Sequence, residues 1–211
     1  MKKVTIGIFA VLMAVAVTSA MAQDENPLRV GVKGGVNLSN FRVDDVGDNN
    51  MKAGLNLGLF ARLPVASTFS IQPELLYSSK GSKLKYDNFI QGEGEYRFNL
   101  NYLELPVLGV FHIGENFNIH AGPYVAFLTS SNIKDMNDDG TIEGVKDIDV
   151  DNFNRFDYGL AGGIGVDING FIIGARYNYG LAEVGKSDNL TGQLTSDSKN
   201  TNATIYIGFG F

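Results

Sequence analysis

The 211-residue sequence predicts an all-β fold, an eight-stranded antiparallel transmembrane up-and-down barrel. Three observations predict it. Eight segments alternate between apolar and polar or small residues, and the connections between them alternate between long and short. The last segment, Thr204-Ile205-Tyr206-Ile207-Gly208-Phe209-Gly210-Phe211, keeps a strict alternation up to the final phenylalanine. A strand of that kind shows large apolar side chains to lipid on one face and small or polar ones to an interior on the other.

Before the first strand, Lys2 and Lys3 precede an apolar run from Val4 to Val17, and Ala20-Met21-Ala22 offers small residues at cleavage spacing. This predicts a secretory signal over 1–22, with the mature chain starting at Gln23, a short segment over 23–27 and a barrel domain over 28–211. The sequence has no cysteine, so no disulfide or lipid-modified cysteine supports the exported fold. Beyond Gln23 no apolar run approaches the roughly 20 residues of a transmembrane helix, which leaves a closed barrel as the way to cross a bilayer. Of 17 basic residues two belong to the signal, so 15 stand against 23 acidic ones. A net charge near −8 disfavours nucleic acid as a partner.

The strands are expected near 28–38, 53–63, 68–79, 96–111, 117–129, 156–168, 171–181 and 202–211. Segments 39–52, 80–95, 130–155 and 182–201 read as long polar loops. Pro64 to Ser67, His112 to Asn116 and Asn169-Gly170 read as tight turns, the last with type I′ hairpin chemistry. An even strand count puts both termini in the periplasm, with the short turns there and the long loops outside. Phe69, Phe111, Phe117, Phe171 and Phe211 then fall at inner strand ends, and Tyr77, Tyr158, Tyr177 and Tyr179 toward outer ends, as two interfacial girdles. A soluble sandwich or lipocalin-like barrel shares the period of two, but it has no use for girdles or for asymmetric loops.

With Val30, Val32, Leu55, Leu57, Leu59, Ile71, Leu75, Ile164, Ile173 and Ile207 turned to lipid, the alternate residues point inward. The expected lumen holds Asn56, Gln72, Asn118, His120 and Asn178 with four basic residues, Arg29, Lys33, Arg62 and Arg176. These meet four carboxylates, Glu74, Glu104, Asp157 and Asp167. Eight strands leave an interior that side chains fill, and charges there persist only when paired. An ionic network is therefore expected rather than a conducting pore or ion pathway, with Glu104 neutralising a buried arginine.

Pro73, Pro106 and Pro123 fall inside strands that a closed barrel pairs on both edges, and bulges are expected at each because proline donates no ladder hydrogen bond. In the fourth strand Arg97, Asn99 and Asn101 share one face and Glu104 takes the other. Either the register shifts near Asn101 to Leu103, or the outer half leaves the membrane.

The sharpest loop motif runs from Asp135 to Glu143. Oxygen donors at Asp135, Asn137 and Asp139, a turn at Gly140, then Thr141, Ile142 and Glu143 resemble the first part of a calcium loop, but Lys146 occupies the place of the bidentate carboxylate. A solvated acidic turn explains the same residues. No cofactor is required by any motif; weak calcium binding is the one such possibility. Asp44, Asp45 and Asp48 make a second acidic loop. The two histidines, His112 in a short turn and His120 in the lumen, both fall at the periplasmic end, and no nucleophile, thiolate cluster or phosphate loop accompanies them. No enzyme is expected.

Ile71-Gln72-Pro73-Glu74-Leu75-Leu76-Tyr77, Tyr102-Leu103-Glu104-Leu105-Pro106, His120-Ala121-Gly122-Pro123-Tyr124 and Gly174-Ala175-Arg176-Tyr177 follow one another along the chain. Together they resemble the outer-membrane β-barrel domain family that includes the PorT-type proteins. The resemblance implies the outer membrane of a Gram-negative cell, contact with its lipid and lipopolysaccharide, and insertion by the barrel-assembly machinery, which reads a final strand like this one. It is compatible with three tasks: binding an unidentified surface ligand or protein partner as a monomeric scaffold, serving as an accessory part of a protein-secretion apparatus, or acting as a narrow passive channel.

Overall fold

The computed structural model describes residues 28–42, 51–81, 83–88, 92–137, 142–147, 154–184 and 199–211. The predicted signal over 1–22 lies outside them. In chain order the strands are β1 (Arg29–Arg42), β2 (Lys52–Ala66), β3 (Phe69–Lys80), β4 (Lys83–Asn88), β5 (Gly92–Ile113), β6 (Phe117–Asn137), β7 (Ile142–Asp147), β8 (Phe156–Ile168), β9 (Phe171–Glu183) and β10 (Lys199–Gly210). Eight of them run antiparallel in the order β5-β3-β2-β1-β10-β9-β8-β6, and pairing of β5 with β6 closes the ring. Closure leaves the barrel wall without a free edge.

Side chains alternate strictly across this wall. Leu55, Leu57, Ile205 and Ile207 are each about two-thirds exposed to the outside, while Asn56, Thr204 and Tyr206 between them are buried. The other predicted lipid-facing residues, including Val32, Leu59, Ile164 and Ile173, share the outer face. An apolar exterior around a polar interior is stable only where the exterior meets hydrocarbon. Phe69 packs on Phe111 and Phe171 on Phe209 at one rim, with ring centroids 5.4 and 5.0 Å apart. Tyr77, Tyr158 and Tyr177 stand exposed toward the other rim.

The tight turns set the register. Asn169 and Gly170 take φ of +50° and +88°, the positive pair that a type I′ turn requires, and they join β8 to β9. The β2–β3 turn is Ser67-Thr68 alone, with Pro64 still in the ladder opposite Ser70. β5 continues through Ile113, so His112 is a strand residue opposite Asn118 rather than a turn residue.

Two of the predicted long loops contain strands. β4 pairs with β5 over Lys83–Asn88, and β7 pairs with β6 over Ile142–Asp147, so segments 80–95 and 130–155 are largely hairpin. At six residues each, these strands are too short for a period of two to stand out from the polar residues around them, which is why they read as loop. Together β4, β5, β6 and β7 form a sheet that continues past the barrel ends of β3 and β8.

The register shift predicted near Asn101 to Leu103 lies between Asn101 and Tyr102, but the extra residue belongs to β6. Thr129 is skipped as the pairing moves from Asn101↔Ser130 to Tyr102↔Leu128, and its hydroxyl donates to the Asn101 carbonyl at 2.8 Å. β5 itself does not flip: Leu100, Tyr102 and Glu104 all point inward. Asn99 and Asn101 lie on the outer face, bonded to Asn132 and Ser130.

The bulges expected at the three prolines do not form. Pro73, Pro106 and Pro123 pair with Val107, Tyr124 and Leu160 in registers that continue unchanged past them. Each ladder instead skips a few bridges, between Phe60↔Glu74 and Leu63↔Ile71, between Pro73↔Val107 and Leu76↔Glu104, and between Pro106↔Tyr124 and Gly109↔Ala121. A missing donor costs a local bond, and the continuous side-chain alternation outweighs the tendency to slip.

Candidate functional site

Parity sends a column of polar residues into the lumen, where they form three charged layers. At the end of the short turns, expected to be periplasmic, Arg62 donates through Nε to Gln72 Oε1 at 2.7 Å and through Nη1 to Asp167 Oδ2 at 3.0 Å. Asn118 donates to the same carboxylate oxygen at 2.8 Å. In the middle layer Glu74 accepts Arg176 Nη1 and Nη2 at 2.7 and 2.8 Å, a bidentate pair, and Lys33 Nζ lies 3.1 Å away. The Lys33 ammonium also sits 3.7 Å from the centre of the Tyr206 ring.

The outer layer is built around Lys80. Its Nζ lies 2.7 Å from Glu104 Oε2 and 3.5 Å from Asp157 Oδ2. The Glu104 contact is an ion pair off the line of a hydrogen bond; Glu104 Oε1 accepts Asn178 Nδ2 at 2.7 Å. Tyr124 and Asn200 donate to Asp157, and the Lys80 ammonium stands 4.8 and 5.4 Å from the Tyr124 and Tyr102 ring centres. Above it Thr204 donates to Asn37 Oδ1 at 2.8 Å, and Asn37 donates to Ser78 Oγ at 3.0 Å.

Formal charges alternate along the barrel. The middle layer has Lys33 and Arg176 against Glu74, the outer layer Glu104 and Asp157 against Lys80, and the inner layer one of each sign. The three layers are neutral together although two of them are not, and Lys52 adds a buried ammonium that donates to the Lys80 carbonyl at 3.2 Å. Glycines make room for its larger members: a Cβ on Gly163 would stand 2.7 Å from His120 Nε2, and one on Gly174 would stand 2.5 Å from the Tyr206 hydroxyl. These bonds run from strands on one side of the ring to strands on the other, so side chains occupy the axis that a pore would need.

Of the eight residues expected in the network, Lys33, Arg62, Glu74, Glu104, Asp157, Asp167 and Arg176 make these contacts. Arg29 does not. It lies exposed at the short-turn mouth with no acidic partner among the described residues, because it is the first residue of β1 and its side chain folds beside Gly210 rather than down the axis. The partner of Glu104 is Lys80 and not an arginine. Lys80 escaped the sequence reading because the third strand was ended at residue 79; one more residue places it on the inward parity of Gln72, Glu74 and Ser78. Tyr102, Tyr124 and Tyr206 were not among the expected lumen residues, although the inward parity of Glu104, His120 and Thr204 includes them.

The calcium-like motif falls on the β6–β7 hairpin. Asp135 pairs with Gly144 and Met136 with Ile142, which leaves Glu143 at a shift in that ladder. Asp139 and Thr141 lie outside the described residues. Paired extended backbone at residues 135–137 differs from the coil that a calcium loop winds around its ion. Among the described residues no group of three or more acids or histidines converges. His120 bonds to Asn118 and Arg176, while His112 faces Ser70 Oγ at 3.2 Å.

No curated protein sequence matches the chain. Among solved structures, Ail of Yersinia pestis in complex with the heparin analogue sucrose octasulfate is 15% identical over 88% of this chain and 100% of its own, with a TM-score of 0.47. Neisserial surface protein A is 10% identical over 87% of this chain and 97% of its own, at 0.46, and OprG of Pseudomonas aeruginosa is 13% identical over 87% and 95%, at 0.39. The model of the outer membrane protein beta-barrel domain matches residues 21–184. That match covers most of the chain and agrees with a closed ring of eight antiparallel strands, apolar outside and ionic within: the chain belongs to the outer-membrane protein β-barrel domain family and resides in the outer membrane of a Gram-negative cell.

Proposed function

We propose that the protein is a non-enzymatic surface-binding barrel whose binding part is the sheet β4-β5-β6-β7 beyond the membrane. One observation carries this reading. In the ladder order β4 and β7 stand at the two ends, so among the described residues the projecting sheet has two open edges while the barrel below it has none. An open edge is a row of backbone donors and acceptors that can pair with an extended segment of another chain. The extension over residues 92–97 and 132–137 adds roughly 20 Å of sheet at about 3.3 Å per residue. The side-chain-filled lumen argues against the passive channel.

The test is crosslinked affinity purification from native outer membranes, run with the full chain and with a variant in which 83–97 and 133–147 are replaced by short turns. Both proteins must show the heat-modifiable gel migration of a closed barrel. A partner retained by the full chain and lost by the shortened one supports the reading; a partner retained equally by both overturns it. The resemblance of four motifs to those of the PorT-type proteins favours a second reading, an accessory role in protein secretion. Recovery of secretion subunits, with loss of exported proteins from a deletion strain, would establish that role.

A further inference from the structure

The periplasmic mouth contains a polar cavity that neither the ionic lumen nor the projecting sheet uses. It encloses about 250 Å³ and is lined by Arg29, Arg62, Ser67, Ser70, His112 and Glu115. This is slightly below the range of about 300–1,000 Å³ for pockets that hold drug-sized ligands, and so suits a chain end or a small metabolite.

Its charges fall into a used pair and an unused pair. Arg62 and Asp167 pair at 3.0 Å through Asp167 Oδ2, which leaves Asp167 Oδ1 without a hydrogen-bond partner among the described residues. Arg29 on β1 and Glu115 on the β5–β6 turn are exposed, and neither has a hydrogen-bond or ion-pair partner among the described residues. Arg62 also keeps Nη2 free of any such partner, since its bonds use Nε and Nη1. The cavity thus presents two guanidinium groups with open donors, two serine hydroxyls, the open Glu115 carboxylate and the unpartnered Asp167 Oδ1, whose negative charge leaves room for an ammonium as well as a carboxylate. A metal cation is disfavoured by the arginines, and a simple dianion by Glu115. A lipid headgroup is disfavoured because Arg62 and Ser70 point into the lumen, away from the outer wall.

We infer that this mouth binds a zwitterionic peptide end, its carboxylate on Arg29 and Arg62 Nη2 and its ammonium on Glu115. Guanidinium forks suit carboxylates because two parallel N–H donors match two oxygens. Free oligopeptides and the peptides of the cell wall both carry this pair of groups. The site faces the periplasm and is independent of the surface reading above.

The chain has two histidines, which makes the experiment selective. The full chain, labelled at histidine Cε1 and refolded in micelles, is titrated with Ala-Ala while both ring resonances are followed. His112 lines the cavity, and His120 in the buried middle layer is the internal reference. The expected result is a saturable shift of His112 at millimolar dipeptide with His120 unmoved. It should be absent with N-acetyl-Ala-Ala-amide and about tenfold weaker in Arg29→Gln and in Glu115→Gln. Both substitutions are at exposed positions, and unchanged gel migration verifies folding. No shift, an equal shift with the blocked peptide or inorganic phosphate, a joint shift of both histidines, or unaltered affinity in Arg29→Gln would each overturn the inference. Co-sedimentation with purified cell-wall sacculi that Arg29→Gln abolishes identifies the wall as the source; its absence alongside dipeptide binding identifies free peptides.

Discussion

Lys80 and Glu104 come from neighbouring strands, β3 and β5, and meet inside the lumen with 2.7 Å between Nζ and Oε2, both side chains essentially inaccessible to solvent. Asp157 on β8 approaches the same ammonium, so one cation separates two buried carboxylates. Removing the lysine therefore does more harm than removing either acid.

Lys80→Met should destabilise the barrel by roughly 3–5 kcal/mol, since it leaves Glu104 and Asp157 facing each other without a counter-ion. Glu104→Gln should cost less, because Asp157 still balances Lys80 and the new amide can bond Asn178. Urea unfolding in detergent, read by the heat-modifiable band, orders the variants. Equal stability of Lys80→Met and wild type would contradict the layer assignment.

Arg176→Lys retains the charge but loses the fork that grips both Glu74 oxygens. A loss of about 1–3 kcal/mol is expected in the same unfolding assay. Arg176→Ala should be worse, as Lys33 alone then opposes Glu74.

No steady current is expected in planar bilayers, because Arg62–Asp167, Glu74–Arg176 and Lys80–Asp157 each span the lumen at a different depth. A reproducible open state with ion selectivity would show that these layers part, and would revive the channel reading.

Calorimetry with millimolar calcium should give no saturable heat, since residues 135–137 and 142–147 are paired as strands. Saturable binding that Asp139→Asn removes would mean that the hairpin rewinds around the ion.

Much of the molecule was legible from residue order. The period of two, the Asn169-Gly170 turn and the two aromatic girdles specify strand number, face and orientation, because each is a local pattern that lipid and a narrow lumen impose on consecutive residues. Parity alone put Lys33, Glu74, Glu104, Asp157 and Arg176 inside. The tertiary structure decided which of them meet. Whether Glu104 faces an arginine or Lys80 depends on the stagger between β3, β5 and β8. That stagger is the register Leu76↔Glu104, Glu104↔Ala126 and Ala126↔Asp157, which the prolines interrupt without shifting, and a single strand's pattern does not contain it. Arg29 likewise had the right parity, yet at the end of β1 it leaves the axis for the mouth. The hairpins with β4 and β7 emerged only in three dimensions, since a strand of six residues is defined by the backbone it pairs with, and that pairing leaves little trace in so short a stretch of sequence.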